Sequence, residues 1–267
     1  MGMAEIASVL NSGMIGEISF ADWLQQVGTV PNEGIPSIAH ALTKFGVGPL
    51  RWAQWQAEDS HTASIQAQEP EVWVAYLVVT LPSQASRELI FDIAVSCRSF
   101  TFFIKDTADP IKKDKELWIE YQVARPEVTA HIEEGLAAGK IGEVPFIPWL
   151  IYGGASTDLK TIAGSLAGFG VTSIRFEPQS EGEAGHSHNW KSYIVVSLPV
   201  SPWADTPHLP SHELVHYLAS VLRNPKDYSA WRYELRLGYE VQLPVDDKFE
   251  KWFAHNRLIG SLGSPSS

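Results

Sequence analysis

The chain has 267 residues, 45% of them apolar and 19% charged, with a formal charge of −11 and a pI near 5.2. That length holds one large domain or two of about 100 to 150 residues, and the composition is that of a globular protein. The acidic balance argues against broad phosphate binding, which depends on Lys and Arg releasing counterions, so no nucleic-acid partner is expected.

The opening "MGMAEIASVL" has no Lys or Arg ahead of its short apolar run, so it does not read as a secretory signal. No apolar stretch nears the roughly 20 residues a membrane-spanning helix needs. A cytoplasmic protein without a membrane partner is the expectation. "IPSIAHALTKFG" places Ile35, Ile38, Ala39 and Leu42 at helical spacing, with Gly46 suited to end the segment. "LRWAQW" reads as a strand, and "EVWVAYLVVTLP" as a stronger one, rich in β-branched and aromatic residues and closed by Pro82. A helix over "ASRELIFDIAVS" follows, carrying up to Cys97, the single cysteine, which excludes an internal disulfide. A strand "KELWIEYQV" and an amphipathic segment "EVTAHIEEGLAAG" complete the first half.

The second half repeats the first. "GMIGEISFADWL" from Gly13 matches "GKIGEVPFIPWL" from Gly139, and "FGVGPLRW" from Phe45 matches "FGVTSIRF" from Phe169. "VWVAYLVVTLP" ending at Pro82 matches "NWKSYIVVSLP" ending at Pro199. "KELWIEYQV" matches "RYELRLGYEV", with Glu116 opposite Glu234 and Tyr121 opposite Tyr239. Four matches in one order indicate an internal duplication. The predicted fold is therefore α+β: two similar tandem units, 1–125 and 126–267, each a mostly antiparallel or mixed sheet packed with helices. The segment near 126–138 resembles the opening "AEIASVLNSG", Ile132 standing opposite Ile6 and Leu136 opposite Leu10, and reads as a helix shared at the boundary.

Chemistry centres on "SHELVHYLAS". Its HELVH segment has the spacing at which two imidazoles stack on one side of a helix to bind zinc, with His212 and His216 as ligands and Glu213 as general base. A third ligand would come from Glu234 or Glu240, or from His186, His188 or His208, since five of nine histidines fall between 186 and 216. The duplicate, "SRELIFDIAVS", has Arg87 for His212 and Phe91 for His216 but keeps the apolar stripe, so the helix needs no metal to exist. A zinc-dependent hydrolase is accordingly the alternative reading; the preferred one has no cofactor.

Ten tryptophans supply the other signal. Trp23 and Trp149 correspond between halves, as do Trp73 and Trp190, which marks them as structural. Trp55, Trp118, Trp203, Trp231 and Trp252 lack aromatic counterparts and are candidates for contact with a partner, because desolvated aromatic side chains dominate interface energetics. Trp203 and Asp205 lie in "SPWADTPHLP", an insertion peculiar to the second half.

The layout "FGVGPLRW…VWVAYLVVTLP…RELIFDIA", repeated as "FGVTSIRF…WKSYIVVSLP…HELVHYLASVL", resembles the suppressor-of-fused-like domain in two tandem copies. Gly48 and Thr172 stand where that family tends to have serine. The resemblance implies a partner-binding protein of immunity or regulatory type and carries no catalytic residues. The expectation is a non-enzymatic protein-binding module with Trp203, Trp55, Trp118, Trp231 and Asp205 at its contact surface and a protein with a basic surface as partner.

Overall fold

The computed structural model describes residues 1–28, 34–54, 71–106, 114–152, 158–178, 189–198, 212–223, 225–231, 233–242, 248 and 251. Its contacts divide the chain into Met1–Ala124 with Gly168–Gly170, and Arg125–Ala167 with Val171–Ser267. The helix over the predicted boundary thus belongs to the second unit.

The first unit runs α1 (Met3–Asn11), β1 (Met14–Ile15), β2 (Ile18–Ser19), α2 (Phe20–Gln26), α3 (Ile35–Lys44), β3 (Leu50–Gln54), β4 (Val72–Thr80), α4 (Arg87–Ser96), β5 (Thr101–Asp106) and β6 (Lys115–Ala124). The second repeats the order: α5 (Pro126–Ala138), β7 (Lys140–Ile141), β8 (Val144–Pro145), α6 (Phe146–Tyr152), α7 (Leu159–Gly168), β9 (Ser173–Pro178), β10 (Asn189–Ser197), α8 (His212–Val221), β11 (Asp227–Trp231) and β12 (Glu234–Gln242). The sheets are four-stranded and antiparallel, ordered β3-β4-β6-β5 and β9-β10-β12-β11.

Register agrees as closely as order. Val79 lies opposite Leu50 and Thr80 opposite Glu116 in the first sheet; Val196 lies opposite Ile174 and Ser197 opposite Glu234 in the second. A one-residue slip would turn every side chain to the other face, so this agreement makes the two halves versions of one α+β unit. The edge strands β5 and β11, and the short helices α2 and α6, are additions to the elements read from sequence.

Local chemistry explains the boundaries. α3 buries Ile35, Ile38, Ala39 and Leu42 and has Pro36 in its first turn, where a missing N–H costs nothing. It ends on Gly46 at φ +66°, with the Val47 N–H returning to the Leu42 carbonyl; α7 ends alike on Gly170 at φ +74°, with Val171 bonded to Leu166. α4 and α8 are each followed by an arginine in the left-handed region, Arg98 at φ +60° and Arg223 at φ +63°. Ser86 caps α4 by accepting the Leu89 N–H at 3.2 Å.

One face of each sheet packs against the helices. In the first unit Leu50, Ala75, Leu77, Val79, Leu117, Ile119, Tyr121 and Val123 form a core with the buried faces of α1 to α4. Phe20 sits at its centre, 5.2 Å from the Trp52 ring and 5.4 Å from Tyr121, with Trp23 5.0 Å from Tyr121. The second unit has Phe146 5.3 Å from Phe176 and 5.4 Å from Tyr239, with Trp149 6.0 Å from Tyr239. Each such contact adds about 0.5–1.5 kcal/mol beyond the area it buries. Close packing also dictates glycine: a Cβ on Gly13 would lie 2.2 Å from the Trp52 ring, and one on Gly139 2.1 Å from Phe176.

The tyrosines join sheet to helix. Tyr121 donates its hydroxyl to the Cys97 carbonyl at 2.9 Å, and Tyr239 donates to the Leu222 carbonyl at 2.8 Å, each at the end of the helix preceding the edge strand. Burial pushes both phenols well above the usual tyrosine range and raises the Cys97 thiol to about 12.

Two outcomes follow. Tyr121→Phe and Tyr239→Phe each orphan a buried helix-end carbonyl, so each should lower stability by about 1–3 kcal/mol in urea unfolding; a loss confined to one tyrosine would contradict the equivalence of the units. Cys97 should resist a thiol reagent at neutral pH until denaturant opens the first unit, and rapid labelling of the native protein would contradict its burial.

Candidate functional site

The HELVH helix can be placed against the strands that would complete a zinc site. In α8 the buried side chains are Val215, Leu218 and Ala219, followed by Leu222 just beyond it, and the Tyr239 bond to Leu222 sets the helix on the Tyr239 face of the sheet. His216 is exposed on that side, edge-on to Tyr228 at 6.2 Å. Glu234 and Glu240 are separated from Tyr239 by odd steps along β12 and therefore face the other way. The Glu234 carboxylate accepts two bonds from the Arg175 guanidinium at 2.9 and 3.2 Å, while Glu240 lies opposite Lys191.

The zinc reading is thereby corrected. No group of three or more His, Cys, Asp and Glu among the described residues can hold a metal ion, and the sheet stands between His216 and the two candidate carboxylates. The side chains of His212 and Glu213, and residues His186, His188 and His208, lie outside the described residues.

The retention of Glu234 opposite Glu116 has a different cause. Arg51 reaches across β4 to Glu116, donating from Nη2 at 3.0 and 2.9 Å, as Arg175 reaches across β10 to Glu234. The same ion pair spans the same three strands in both units. Hydrogen bonds from Arg175 hold the Glu234 carboxyl below the usual range, and Glu234 in turn raises the Arg175 guanidinium. These salt bridges lie on the sheet face away from the helices, over Val78 in one unit and Val195 in the other, which stay buried. Sequence reading matched Glu116 with Glu234 but missed Arg51 and Arg175, although both sit at one position of the matched "FGVGPLRW" and "FGVTSIRF".

Apart from the ion pair, the valine opposite its arginine (Val78 and Val195) and a shared tyrosine (Tyr76 and Tyr193), this face carries different aromatic and charged residues in the two units. In the first, Trp118 and Phe103 stack at 5.8 Å and Tyr76 meets them at 5.6 and 5.8 Å. The Trp118 indole donates to Glu116 at 3.1 Å, Arg51 lies 5.2 Å from the ring centroid and the Lys105 ammonium 4.3 Å. Glu120, two residues on from Trp118 along β6 and only 4% exposed, accepts from the Tyr76 hydroxyl at 3.1 Å and the Gln122 amide at 2.6 Å. In the second, register puts Arg236 in the place of Trp118, Ser229 in that of Phe103, Gly238 in that of Glu120 and Trp231 in that of Lys105. Arg236 lies over the Tyr193 ring at 3.9 Å and pairs with Glu177 at 3.5 Å.

Of the tryptophans expected at a contact surface, Trp118 is half-buried in this cluster and Trp231 ends the edge strand β11 at 73% exposure. Trp55, Trp203 and Trp252, like Asp205, lie outside the described residues. Trp23 is buried and Trp149 half-buried, each in its unit's core. No protein-family model, curated protein or solved structure matches the chain.

Because Glu234 is held ionised, its pairing with Arg175 stabilises the fold above the unfolded carboxyl pKa, and the benefit is lost as pH falls through the lower folded value. Glu234→Gln should therefore cost no more than ~1 kcal/mol at neutral pH, the pair being largely exposed, with the loss shrinking in acid and in high salt. A deficit independent of pH in denaturant titrations would contradict this.

Proposed function

We propose that the chain is a non-enzymatic protein-binding module of the immunity or regulatory type, acting in the cytoplasm on a protein partner that presents a basic surface. The observation that carries the reading is the contrast between what the units share and what they do not. Aromatic core, tyrosine–helix bond and cross-sheet ion pair occur twice, whereas the aromatic and charged residues around the ion pair, and the exposed Trp231, are peculiar to one unit. Side chains that the scaffold does without in its other copy are available for recognition.

The charge of −11 supports a basic partner, since complementary potentials speed encounter and suppress wrong pairings. An exposed tryptophan on an edge strand supports contact with protein, because tryptophan is enriched among residues that dominate binding energy. The suppressor-of-fused-like layout supports the same class. Trp203, Asp205 and Trp55 belong to this reading as further contact residues. Among the described residues no helix is long and apolar enough to cross a membrane.

Affinity capture with the full chain as bait tests the proposal when wild type is compared with Trp231→Ala in extract of the source cells. One basic protein should be retained by wild type and reduced about tenfold or more by the substitution, with retention falling as salt is raised. Capture indifferent to both changes would remove the reading.

A further inference from the structure

β5 has the composition of an inner strand and the position of an outer one. In "TFFIKD", Phe102 and Ile104 lie opposite Ile119 and Leu117, on the face that packs against the helices, while Phe103 lies opposite Trp118 on the other. A strand apolar on both faces ordinarily has a neighbour on each side. β5 ends its sheet, and among the described residues its one strand neighbour is β6. Alternate N–H and C=O groups of such an edge point outward, ready to pair with another strand.

The helix beside this edge is apolar on the same side. In α4 Phe91 and Val95, one turn apart, are 43% and 37% exposed, and Ile104 on β5 is 44% exposed. The second unit shows which way that flank of the helix looks: His216, at the place of Phe91, lies edge-on to Tyr228 of the edge strand β11 at 6.2 Å. It also shows that the scaffold does not require the three apolar side chains, for His216, Ser220 and Ala230 stand at their places. An exposed helix flank and an open strand edge lie in different layers, and a single added strand covers only the second. What fits both is a strand with a helix over it, and β5 and α4 of another copy are such a pair.

We infer that two copies of the chain pair through this edge, β5 antiparallel to β5 about a two-fold axis at Phe103, so that the two first-unit sheets become one continuous sheet. Phe102 of each copy then lies opposite Ile104 of the other on the helix side, an aromatic–aliphatic pair of the kind that stabilises sheets. Lys105 lies opposite Thr101, so no like charges meet across the join. The axis is perpendicular to the sheet and keeps both α4 helices on one face. With strands about 4.8 Å apart, helices seated over β5 and β6 of each copy come about 10 Å from one another, the spacing of packed helices. Phe91 and Val95 of one copy thereby meet those of the other. The same patch serves both copies, so the assembly closes at two. Trp231 takes no part in this contact, which stands or falls independently of partner capture.

Sedimentation equilibrium of the full chain over a range of protein and salt concentrations tests this. The mass should rise reversibly from 29.5 kDa to twice that value. The dimer should tighten as salt is raised, because salt screens the repulsion between copies that each carry −11. The combined variant Phe91→His, Val95→Ser and Ile104→Ala places the second unit's residues at the three positions, where the same scaffold already accommodates them, and should weaken the dimer about tenfold or more. Ile104→Lys, at an exposed position outside the core, gives the same readout should the combined variant fail to fold. Tyr228→Ser, on the second unit's edge strand, should leave the dimer unchanged. Amides of β5 should exchange with solvent more slowly as the protein is concentrated, while those of β11 keep one rate. A chain that stays at 29.5 kDa at every concentration, a dimer that both β5-edge variants leave intact, or protection that appears in β11 instead of β5 would overturn the inference.

Discussion

In both units a tyrosine beside the centre of the sheet sends its hydroxyl to the carbonyl that ends the helix before the edge strand, Tyr121 to Cys97 and Tyr239 to Leu222. The last carbonyls of a helix have no partner within it, and a buried one left unpaired costs about 1–3 kcal/mol. The tyrosine supplies that partner from the sheet and fixes the helix against it. Its ring meanwhile packs on Phe20 or Phe146, which starts a short helix whose first N–H bonds at 2.9 Å to the carbonyl of Gly13 or Gly139. Those glycines have no room for a side chain, because the Trp52 or Phe176 ring occupies it. Hairpin, short helix, sheet and long helix are thus tied together at one aromatic centre.

An arrangement present twice supplies its own control. What recurs with the same register is what the fold requires: the aromatic centre, the left-handed Arg98 and Arg223, and the Arg51–Glu116 and Arg175–Glu234 pairs. What occurs once is supported by a scaffold already stable in its absence. The HELVH histidines fall in the second class, yet Glu234 and Glu240 point from the opposite side of the sheet and Glu234 is committed to Arg175. The Trp118 cluster is also peculiar to one unit, and there the side chains converge.

Much of this was legible in the chain. Strong strands revealed themselves by β-branched runs ending in Leu-Pro, helices by apolar spacing at Ile35, Ile38, Ala39 and Leu42, and the duplication by matched segments in one order. β5 and β11 were not. "TFFIKD" has aromatic residues on both faces and "DYSAW" is short and mixed, so neither alternates in the way that marks a half-buried strand. The role of Glu116 and Glu234 was hidden because their arginines come from strands 65 and 59 residues earlier, adjacent only once the sheet is assembled. Strand parity showed that Glu234 and Glu240 share a side; the side taken by α8 became known from the Tyr239 hydroxyl bond alone.

The claim that the chain is one unit built twice around the same aromatic centre is tested most directly by nuclear Overhauser contacts among aromatic protons in the full-length protein. Tyr121 should show contacts to Phe20, Trp23 and Trp52, and Tyr239 the corresponding contacts to Phe146, Trp149 and Phe176, each with a slowly exchanging hydroxyl proton. One set without the other, or contacts that join different residues in the two halves, would contradict the account.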